Sequence, residues 1–226
     1  MKRQLRVIDI FCGAGGFSEG FREAGYKIIA GIDIDEEALK TFSRNFPEAV
    51  TLKKDLSCQL KDLDAEFKKI LIQKIDVIIG GPPCQGFSIA GKRLLDDPRN
   101  TLYRAYFFLI KKLKPVAIVI ENVPTIRSLF EGIVAKQIKE DFEGLDYRME
   151  VFTLNAADYG VPQNRRRTFF VGVKSEKNFK IPAPTTAFSF ITSEMAISDL
   201  PLLDDCSGGE EVAYNTNPKN QYQKEM

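Results

Sequence analysis

The chain has 226 residues, of which 44% are hydrophobic and 28% are charged, so it can bury a core and is not a disordered chain. At this length we expect one full domain and the beginning of a second. The net charge is only +1, but seven acidic and two basic residues lie after residue 183, which leaves +6 on residues 1–183. A mildly basic body is compatible with a polyanionic substrate without requiring one.

The composition excludes several kinds of site. The chain has no histidine, so catalytic systems of the Ser-His-Asp or Cys-His kind and histidine metal ligands are ruled out. No apolar run approaches the ~20 residues that span a bilayer, and the N-terminal segment lacks the pattern of a signal peptide. The four cysteines show neither CxxC nor repeated spacing, so we expect no metal site, reduced thiols and a cytoplasmic location.

Short β-branched runs alternate with segments of helical periodicity, which predicts an α/β fold with a doubly wound, mostly parallel sheet. Strands are predicted at residues 6–11, 27–34, 75–80, 116–120, 148–154 and 168–173, and helices at residues 18–24, 36–45, 101–113 and 126–142. Ser18 and Asp35 are expected near the N-caps of the first two helices. The pattern becomes turn-rich and polar after Val173, so we predict a main domain over residues 1–174 and a separate region over 175–226.

A glycine cluster, Gly13-Ala14-Gly15-Gly16, lies between the first strand and the first helix. Glycines at such a place let the backbone approach a ligand closely, with helix N–H groups directed at it. The dinucleotide fingerprint GxGxxG does not fit, because Ser18 occupies the third glycine position. Asp33 ends the next strand, where a carboxylate can accept hydrogen bonds from a ribose. The alternative is an ordinary tight turn with surface carboxylates.

Cys84 lies in a second cluster, Gly80-Gly81-Pro82-Pro83-Cys84-Gln85-Gly86, which follows the strand at 75–80. The prolines restrict the backbone before the thiol, and the glycines free it on either side. A buried, inert thiol is the alternative, and it suits Cys12 better than Cys84. Without histidine, a substrate, a helix dipole or an arginine would have to favour the thiolate.

Two further charged motifs flank predicted strands. Glu121 follows the apolar strand at 116–120, where a carboxyl can share a proton with a substrate nitrogen. Gln163-Asn164-Arg165-Arg166-Arg167 precedes the strand at 168–173, and guanidinium groups bind phosphate and carboxylate well. The alternatives are a charge at a helix N-terminus and a solvated arginine turn.

Gly13, Asp33, Cys84 and Glu121 each end or follow a different predicted strand. The C-terminal ends of parallel strands share one edge of the sheet, where open α/β folds bind their ligands. We therefore expect these residues to form one site.

Together and in this order, the motifs resemble those of the C5-cytosine DNA methyltransferase family. The segment from Asp9 to Phe17 resembles its S-adenosylmethionine loop, Pro82-Pro83-Cys84-Gln85 its catalytic loop, Glu121-Asn122-Val123 its base-binding motif, and the segment from Gln163 to Arg167 its basic motif. The segment from Ile197 to Pro201 resembles the entry into its target-recognition region. The resemblance implies a Rossmann-like methyltransferase fold, S-adenosyl-L-methionine as cofactor and double-stranded DNA as substrate, in a bacterial restriction–modification setting.

The resemblance also implies the roles of individual residues. Cys84 attacks C6 of a cytosine flipped out of the duplex, and Glu121 engages N3 and the exocyclic amine. Arg165 binds near the cytosine, and Arg167 supports the site. The residues implied to bind the cofactor are Phe11, Ala14, Gly16, Asp33, Ile34, Asp55 and Leu102. Of these, Asp33 takes the ribose hydroxyls, Ile34 lies against the adenine, Asp55 meets the adenine amine and Leu102 closes over the ring. No metal is implied.

Two departures from the family pattern leave alternatives open. Family members continue into a variable target-recognition domain and then into two final motifs, none of which is visible before Met226. The region at 175–226 is then a linker and the start of an incomplete recognition region. The chain is a truncated piece, one half of an enzyme completed by a second polypeptide, or a degenerate product. In addition, Asp33 stands where glutamate is commoner.

Three other functions compete with this interpretation. A tRNA cytosine-5 methyltransferase would use the same residues on RNA. A non-catalytic subunit would keep the fold without turnover. A nicotinamide dehydrogenase is disfavoured by the glycine spacing.

Overall fold

The computed structural model describes residues 3–57, 70, 74–83, 100–174, 179–186, 189–201 and 216–225. Within them, seven strands form one sheet in the order β3-β2-β1-β4-β5-β7-β6. The strands are β1 (Arg6–Ile10), β2 (Lys27–Asp33), β3 (Val50–Lys53), β4 (Val77–Gly80), β5 (Ala117–Asn122), β6 (Arg148–Asn155) and β7 (Arg166–Val173). The helices are α1 (Gly16–Glu23), α2 (Glu36–Asn45), α3 (Thr101–Leu113), α4 (Ile133–Glu143), α5 (Ser193–Ile197) and α6 (Gln221–Glu225), with short 3-10 helices at Pro124–Arg127 and Ala156–Tyr159.

Strands β1 to β5 are parallel, and β7 runs antiparallel to β5. The order of the strands reverses at β1, with β2 and β3 on one side and β4 and β5 on the other. Such a reversal leaves a crevice at the C-terminal ends of the strands, where open α/β sheets bind their ligands. The doubly wound, mostly parallel fold predicted from the sequence is confirmed.

Both faces of the sheet are buried by alternating side chains. Ile8 and Ile10 of β1 belong to a core cluster shared with α3 and α4. Val7 points into a second cluster that includes Leu39 and Phe42 of α2. Residues two apart in a strand share a face, so this division puts helices on both sides of the sheet. Burying one such aliphatic side chain contributes roughly 1.5–3 kcal/mol.

The first helix differs from its prediction in where it begins. It starts at Gly16, and its N-cap is Gly15 in a left-handed conformation, with no side-chain cap. Ser18 was expected near the N-cap, but its hydroxyl donates a hydrogen bond to the Asp9 carboxylate instead. Asp35 does cap α2, by accepting hydrogen bonds from the backbone N–H groups of Glu37 and Ala38.

The helix predicted at 126–142 is wrong as a single element. The structure has a 3-10 helix at Pro124–Arg127, a turn, and then α4. Three consecutive residues in the turn, Phe130, Glu131 and Gly132, have positive φ angles, which a continuous right-handed helix does not allow. β5 also extends to Asn122, so Glu121 lies within the strand and not after it.

The chain divides into two compact units. Residues 1–153 and 167–179 form the first, which contains most of the sheet and α1 to α4. Residues 154–166 and 180–226 form the second, where the Thr186 hydroxyl donates to the carbonyl of Ala157 and accepts from the N–H of Gly160. The predicted roles of residues 1–174 and 175–226 remain predictions. None of the helices in the described ranges is long and apolar enough to cross a membrane.

Candidate active site

The glycine loop leaves β1 through a strained backbone. Phe11 has a φ of 65°, which is uncommon for a residue with a side chain, and its N–H donates to the carbonyl of Ile32. Gly15 has a φ of 95°, and a Cβ there would stand 2.5 Å from the ring of Phe46. Only glycine fits at position 15, so the sharp turn between β1 and α1 depends on it.

Asp33, at the end of β2, connects the glycine loop to the neighbouring strand. Its Oδ2 accepts a 2.8 Å hydrogen bond from the N–H of Gly13. Its Oδ1 accepts from the N–H groups of Ile34 and Asp35, at 2.7 and 3.0 Å. A carboxylate can accept about four hydrogen bonds. Backbone N–H groups already supply three of them, so about one acceptor position remains for a ligand hydroxyl. The structure thus gives Asp33 a positioning function beside its predicted role toward a ribose.

The other predicted cofactor residues lie on elements around this loop. Ile34 follows β2 and is 59% exposed, which is high for an isoleucine and leaves an apolar surface open to a flat ring. Asp55 is exposed after β3 and accepts the N–H of Ser57. Leu102, in the first turn of α3, packs partly buried against the core, and Ala14 is exposed within the loop.

The loop has room for a ligand. A Cβ built on Gly13 or on Gly16 would meet nothing within 4 Å. The first turn of α1 also presents backbone N–H groups that have no partners within the helix. Open space over these glycines, a carboxylate at the end of β2 and an exposed apolar side chain beside it fit a nucleoside cofactor.

Cys12 lies in the same loop, and the structure assigns it the inert role. It is buried, and burial together with the charges of Asp9 and Asp33 raises the pKa of its thiol far above the usual range. The thiol therefore stays protonated, as expected for a structural cysteine.

The segment that leads to Cys84 is tied to the end of β5. The side-chain amide of Asn122 is buried and donates a 2.9 Å hydrogen bond to the carbonyl of Pro82. Its Oδ1 accepts the N–H of Val123, so the side chain is held on both sides. Pro83 immediately precedes Cys84, which lies outside the described residues. Asn122 stands within the Glu121-Asn122-Val123 motif, but its positioning role is not predictable from the sequence.

Glu121 and Arg167 form an ion pair at the same edge. The Nε of Arg167 lies 3.0 Å from Oε1 of Glu121, and both side chains are 25% exposed. The pair forms because β7 runs antiparallel to β5, which sets Phe169 opposite Glu121. A Cβ on Gly81 would stand 3.4 Å from Oε2, so Gly81 keeps space beside the carboxylate.

Because β1, β2, β4 and β5 are parallel, Gly13, Asp33 and Glu121 lie toward the same edge of the sheet. That they form one site with Cys84 stays a prediction, since Cys84 lies outside the described residues. Gly13 and Asp33 are in direct contact, and so are Glu121 and Arg167. Arg165 belongs to the second unit, where its side chain is exposed and its carbonyl accepts the N–H of Ala156. Its catalytic role remains a prediction. Across the described ranges, no group of three or more acidic or cysteine side chains could hold a metal ion.

The fold fits a class. A doubly wound sheet with a glycine loop after β1, an acidic residue at the end of β2 and the antiparallel β7 beside β5 is found in Rossmann-like methyltransferases. A family model for the C-5 cytosine-specific DNA methylase matches residues 5–226. The chain therefore belongs to the C-5 cytosine-specific DNA methylase family, and the family resemblance seen in the sequence is confirmed.

Several curated relatives are similar over most of the chain. The type II methyltransferase M.DdeI of Desulfomicrobium norvegicum is 41% identical over 230 residues, which cover 98% of this chain and 54% of that protein. M.AgeI of Thalassovita gelatinovora is 35% identical, covering 98% and 57%. M.AquIA of a Picosynechococcus strain is 35% identical, covering 80% of this chain and 77% of that protein. The chain thus spans about half the length of the first two relatives.

Solved structures agree with this assignment. The crystal structure of a protein described as a DNA modification methyltransferase of an Escherichia coli prophage is 35% identical, with a TM-score of 0.71, and the match covers 88% of this chain and 56% of that one. The DNMT2 protein of Spodoptera frugiperda has a TM-score of 0.62 at 23% identity, covering 80% and 53%, and supports the fold alone.

Proposed function

We propose that this chain is the catalytic part of a DNA (cytosine-5-)-methyltransferase that uses S-adenosyl-L-methionine. The family assignment supports the reaction type, and the similarity to type II methyltransferases supports a bacterial restriction–modification setting. The observation that carries the proposal is the edge formed by β4, β5 and β7. There Asn122 holds Pro82, two residues before Cys84 in the chain, near the Glu121–Arg167 pair.

Cys84 is the proposed nucleophile. Its thiolate attacks C6 of the cytosine, an S–C6 bond forms, and the electron pair of the C5–C6 double bond becomes available at C5. C5 would take the methyl group from the donor as the bond between that methyl group and the sulfonium sulfur breaks, which leaves a neutral thioether. C5 then loses its proton to a base from the solvent, the double bond re-forms and the S–C6 bond breaks. The cytosine must leave the base stack for this, because its ring faces are covered in the duplex.

Glu121 is proposed to bind the N3 and amine edge of the flipped cytosine. Arg167 engages Oε1, which orients the carboxylate and compensates its charge when it is partly buried. Charge that develops on the ring during attack by Cys84 is stabilised at N3 by a proton held there by Glu121. Gly81 leaves room for the base beside Oε2. Arg165 is proposed to contact the base or its backbone phosphate.

S-adenosyl-L-methionine supplies an electrophilic methyl group on its sulfonium. The residues proposed to hold it are Phe11, Ala14, Gly16, Asp33, Ile34, Asp55 and Leu102. Asp33 accepts a hydrogen bond from one ribose hydroxyl at its remaining acceptor position. Ile34 supplies an apolar surface to the adenine, and Asp55 accepts a hydrogen bond from the adenine amine. Leu102 closes over the ring from α3.

The proposal is tested by transfer of a labelled methyl group from the cofactor to duplex DNA and to tRNA, offered separately. The Cys84→Ser variant tests the nucleophile, and Cys206→Ser is the matched control. We expect label at cytosine C5 of DNA, lost in Cys84→Ser and kept in Cys206→Ser. Label in tRNA alone would move the substrate to RNA, and transfer by Cys84→Ser would overturn the mechanism.

Completion by a second polypeptide is the alternative to transfer by the chain alone. Binding of the cofactor without transfer to DNA would support it, and restored transfer after addition of a recognition half from a relative would establish it. Transfer to DNA by the chain alone would contradict it.

A further inference from the structure

Asp9 is a buried carboxyl group beside the glycine loop for which the proposed reaction has no role. Its side chain is 1% exposed, and its Oδ2 accepts a 2.8 Å hydrogen bond from the hydroxyl of Ser18 in α1. Its Oδ1 is also buried and has no hydrogen-bond partner among the residues that the structure describes. Buried polar atoms nearly always have partners, so an atom like this one calls for an explanation.

Three other titratable groups from the elements around Asp9 interact with it. These are Cys12 in the loop, Asp33 at the end of β2, and Tyr106 on α3. Burial raises the pKa of Asp9 to about 7, an effect that the hydroxyl and the backbone N–H of Ser18 oppose and the charge of Asp33 reinforces. Burial also raises the pKa values of the Cys12 thiol and the Tyr106 phenol above their usual ranges, so both stay uncharged while Asp9 titrates.

We propose that Asp9 lets the glycine loop distinguish the methyl donor from its product by charge. S-adenosylmethionine carries a sulfonium cation, whereas S-adenosylhomocysteine has a neutral thioether at the same place. An ionised Asp9 with an unpartnered oxygen in a buried, low-dielectric setting attracts the cation and has no comparable attraction for the thioether. This inference rests on the proposed function, because it takes the glycine loop as the cofactor site.

The direction of the pH dependence follows from the charge. At low pH Asp9 is neutral, and the donor and the product bind through the groups that they share. As the pH rises through about 7, Asp9 becomes ionised and favours the sulfonium. Linkage then requires that the bound sulfonium lower the pKa of Asp9, and each unit of that shift corresponds to about a tenfold gain in relative affinity.

The test is the ratio of the dissociation constants of the product and the donor, measured by calorimetry on the full chain at about pH 6, 7 and 8. For the unmodified chain we expect the ratio to rise several-fold, up to about tenfold, across this range. Asp9→Asn should lack this rise and show only the change that the ligands' own amino groups cause. Glu19→Gln, which neutralises a partly exposed carboxylate on α1 that pairs with Arg22, is the matched control and should behave as the unmodified chain does. The amino groups of the two ligands also titrate, and this changes the ratio by the same factor in every variant. Each variant is therefore compared with the unmodified chain at the same pH.

A second variant guards against a folding defect in Asp9→Asn. Ser18→Ala removes the side-chain hydrogen bond, the larger of the two Ser18 contacts that lower the pKa of Asp9, so the rise in the ratio should move to higher pH. A ratio that changes with pH in Asp9→Asn as it does in the unmodified chain would overturn the inference, as would an unmoved midpoint in Ser18→Ala. If both ligands bind to the unmodified chain but the ratio of their dissociation constants does not change with pH, this inference fails and the proposed cofactor site stands. If neither binds at any pH, the proposed cofactor site fails as well.

Discussion

The two ends of the site are held together by different kinds of contact. At the cofactor end, Asp33 accepts three backbone N–H groups, which are present whatever side chains surround them. At the catalytic end, the contacts run from side chain to side chain, between Glu121 and Arg167, and from the Asn122 amide to the Pro82 carbonyl. Cofactor binding should therefore be sensitive mainly to substitutions that change the backbone conformation of the glycine loop or that remove the Asp33 carboxylate. The catalytic end should respond to each side chain.

The largest effect is expected from Glu121→Gln. The amide keeps the shape but cannot hold a proton for cytosine N3, and it cannot form the ion pair with Arg167. We expect the rate of methyl transfer to fall roughly 10²–10⁴-fold, with cofactor affinity unchanged. Single-turnover transfer and calorimetry measure the two quantities. Glu140→Gln, on an exposed part of α4, is the control, and an equal loss in both variants would remove Glu121 from the chemistry.

Gly15→Ala tests the backbone at the cofactor end. Alanine at a φ of 95°, with its Cβ 2.5 Å from Phe46, should lower the free energy of unfolding by about 2–4 kcal/mol. Gly16→Ala is the matched control, because its Cβ meets open space, and its unfolding free energy should change by at most about 1 kcal/mol. Urea unfolding measures both. Equal stabilities would show that the loop does not depend on the left-handed turn.

These elements show what the sequence could predict. The glycine cluster, the Asp35 cap and the strand ends carry local signals, and the structure agrees with them. The true start of α1 was missed because Ser18 has the chemistry of an N-cap, whereas the fold gives its hydroxyl to Asp9. That contact depends on how α1 packs on β1, which a local pattern does not encode.

The catalytic end was harder to predict in detail. β7 runs antiparallel to β5, which brings Arg167 to Glu121 across 46 residues of chain. The apolar sequence of a strand does not indicate the direction in which it runs in the sheet. The break in the helix predicted at 126–142 had only Gly132 as a local signal, since Phe130 and Glu131 rarely adopt positive φ. Side-chain contacts between distant elements therefore needed the structure, while the backbone of the cofactor end did not.

A smaller effect is expected from Asn122→Ala at the catalytic end. The substitution removes the buried side-chain amide that donates to the Pro82 carbonyl, and it should lower the free energy of unfolding by about 1–3 kcal/mol. Methyl transfer should slow, with cofactor affinity unchanged, because the segment before Cys84 loses its anchor. Asn220→Ala removes the same type of bond at an exposed position and serves as control. Unchanged transfer in Asn122→Ala would mean that this tether does not position the catalytic segment.

Effects of similar or smaller size are expected from two neighbouring aspartates. Asp33→Ala should weaken cofactor binding roughly 10–100-fold, because it removes an acceptor for the ribose and the anchor of the Gly13 N–H. Asp35→Ala should leave cofactor binding unchanged and lower stability by about 1 kcal/mol, through loss of the α2 cap. Calorimetry and urea unfolding of both variants separate the two roles. Unchanged affinity in Asp33→Ala would exclude it from the cofactor site.

The most direct test of the central claim uses duplex DNA that contains 5-fluorocytosine. Fluorine at C5 cannot leave as a proton does, so methylation at C5 leaves the S–C6 bond of the Cys84 adduct in place. We predict a covalent protein–DNA complex that requires S-adenosylmethionine and is absent in Cys84→Ser but present in Cys206→Ser. Methyl transfer to ordinary DNA by Cys84→Ser, or by the unmodified chain without any trapped complex on the fluorinated duplex, would contradict the account.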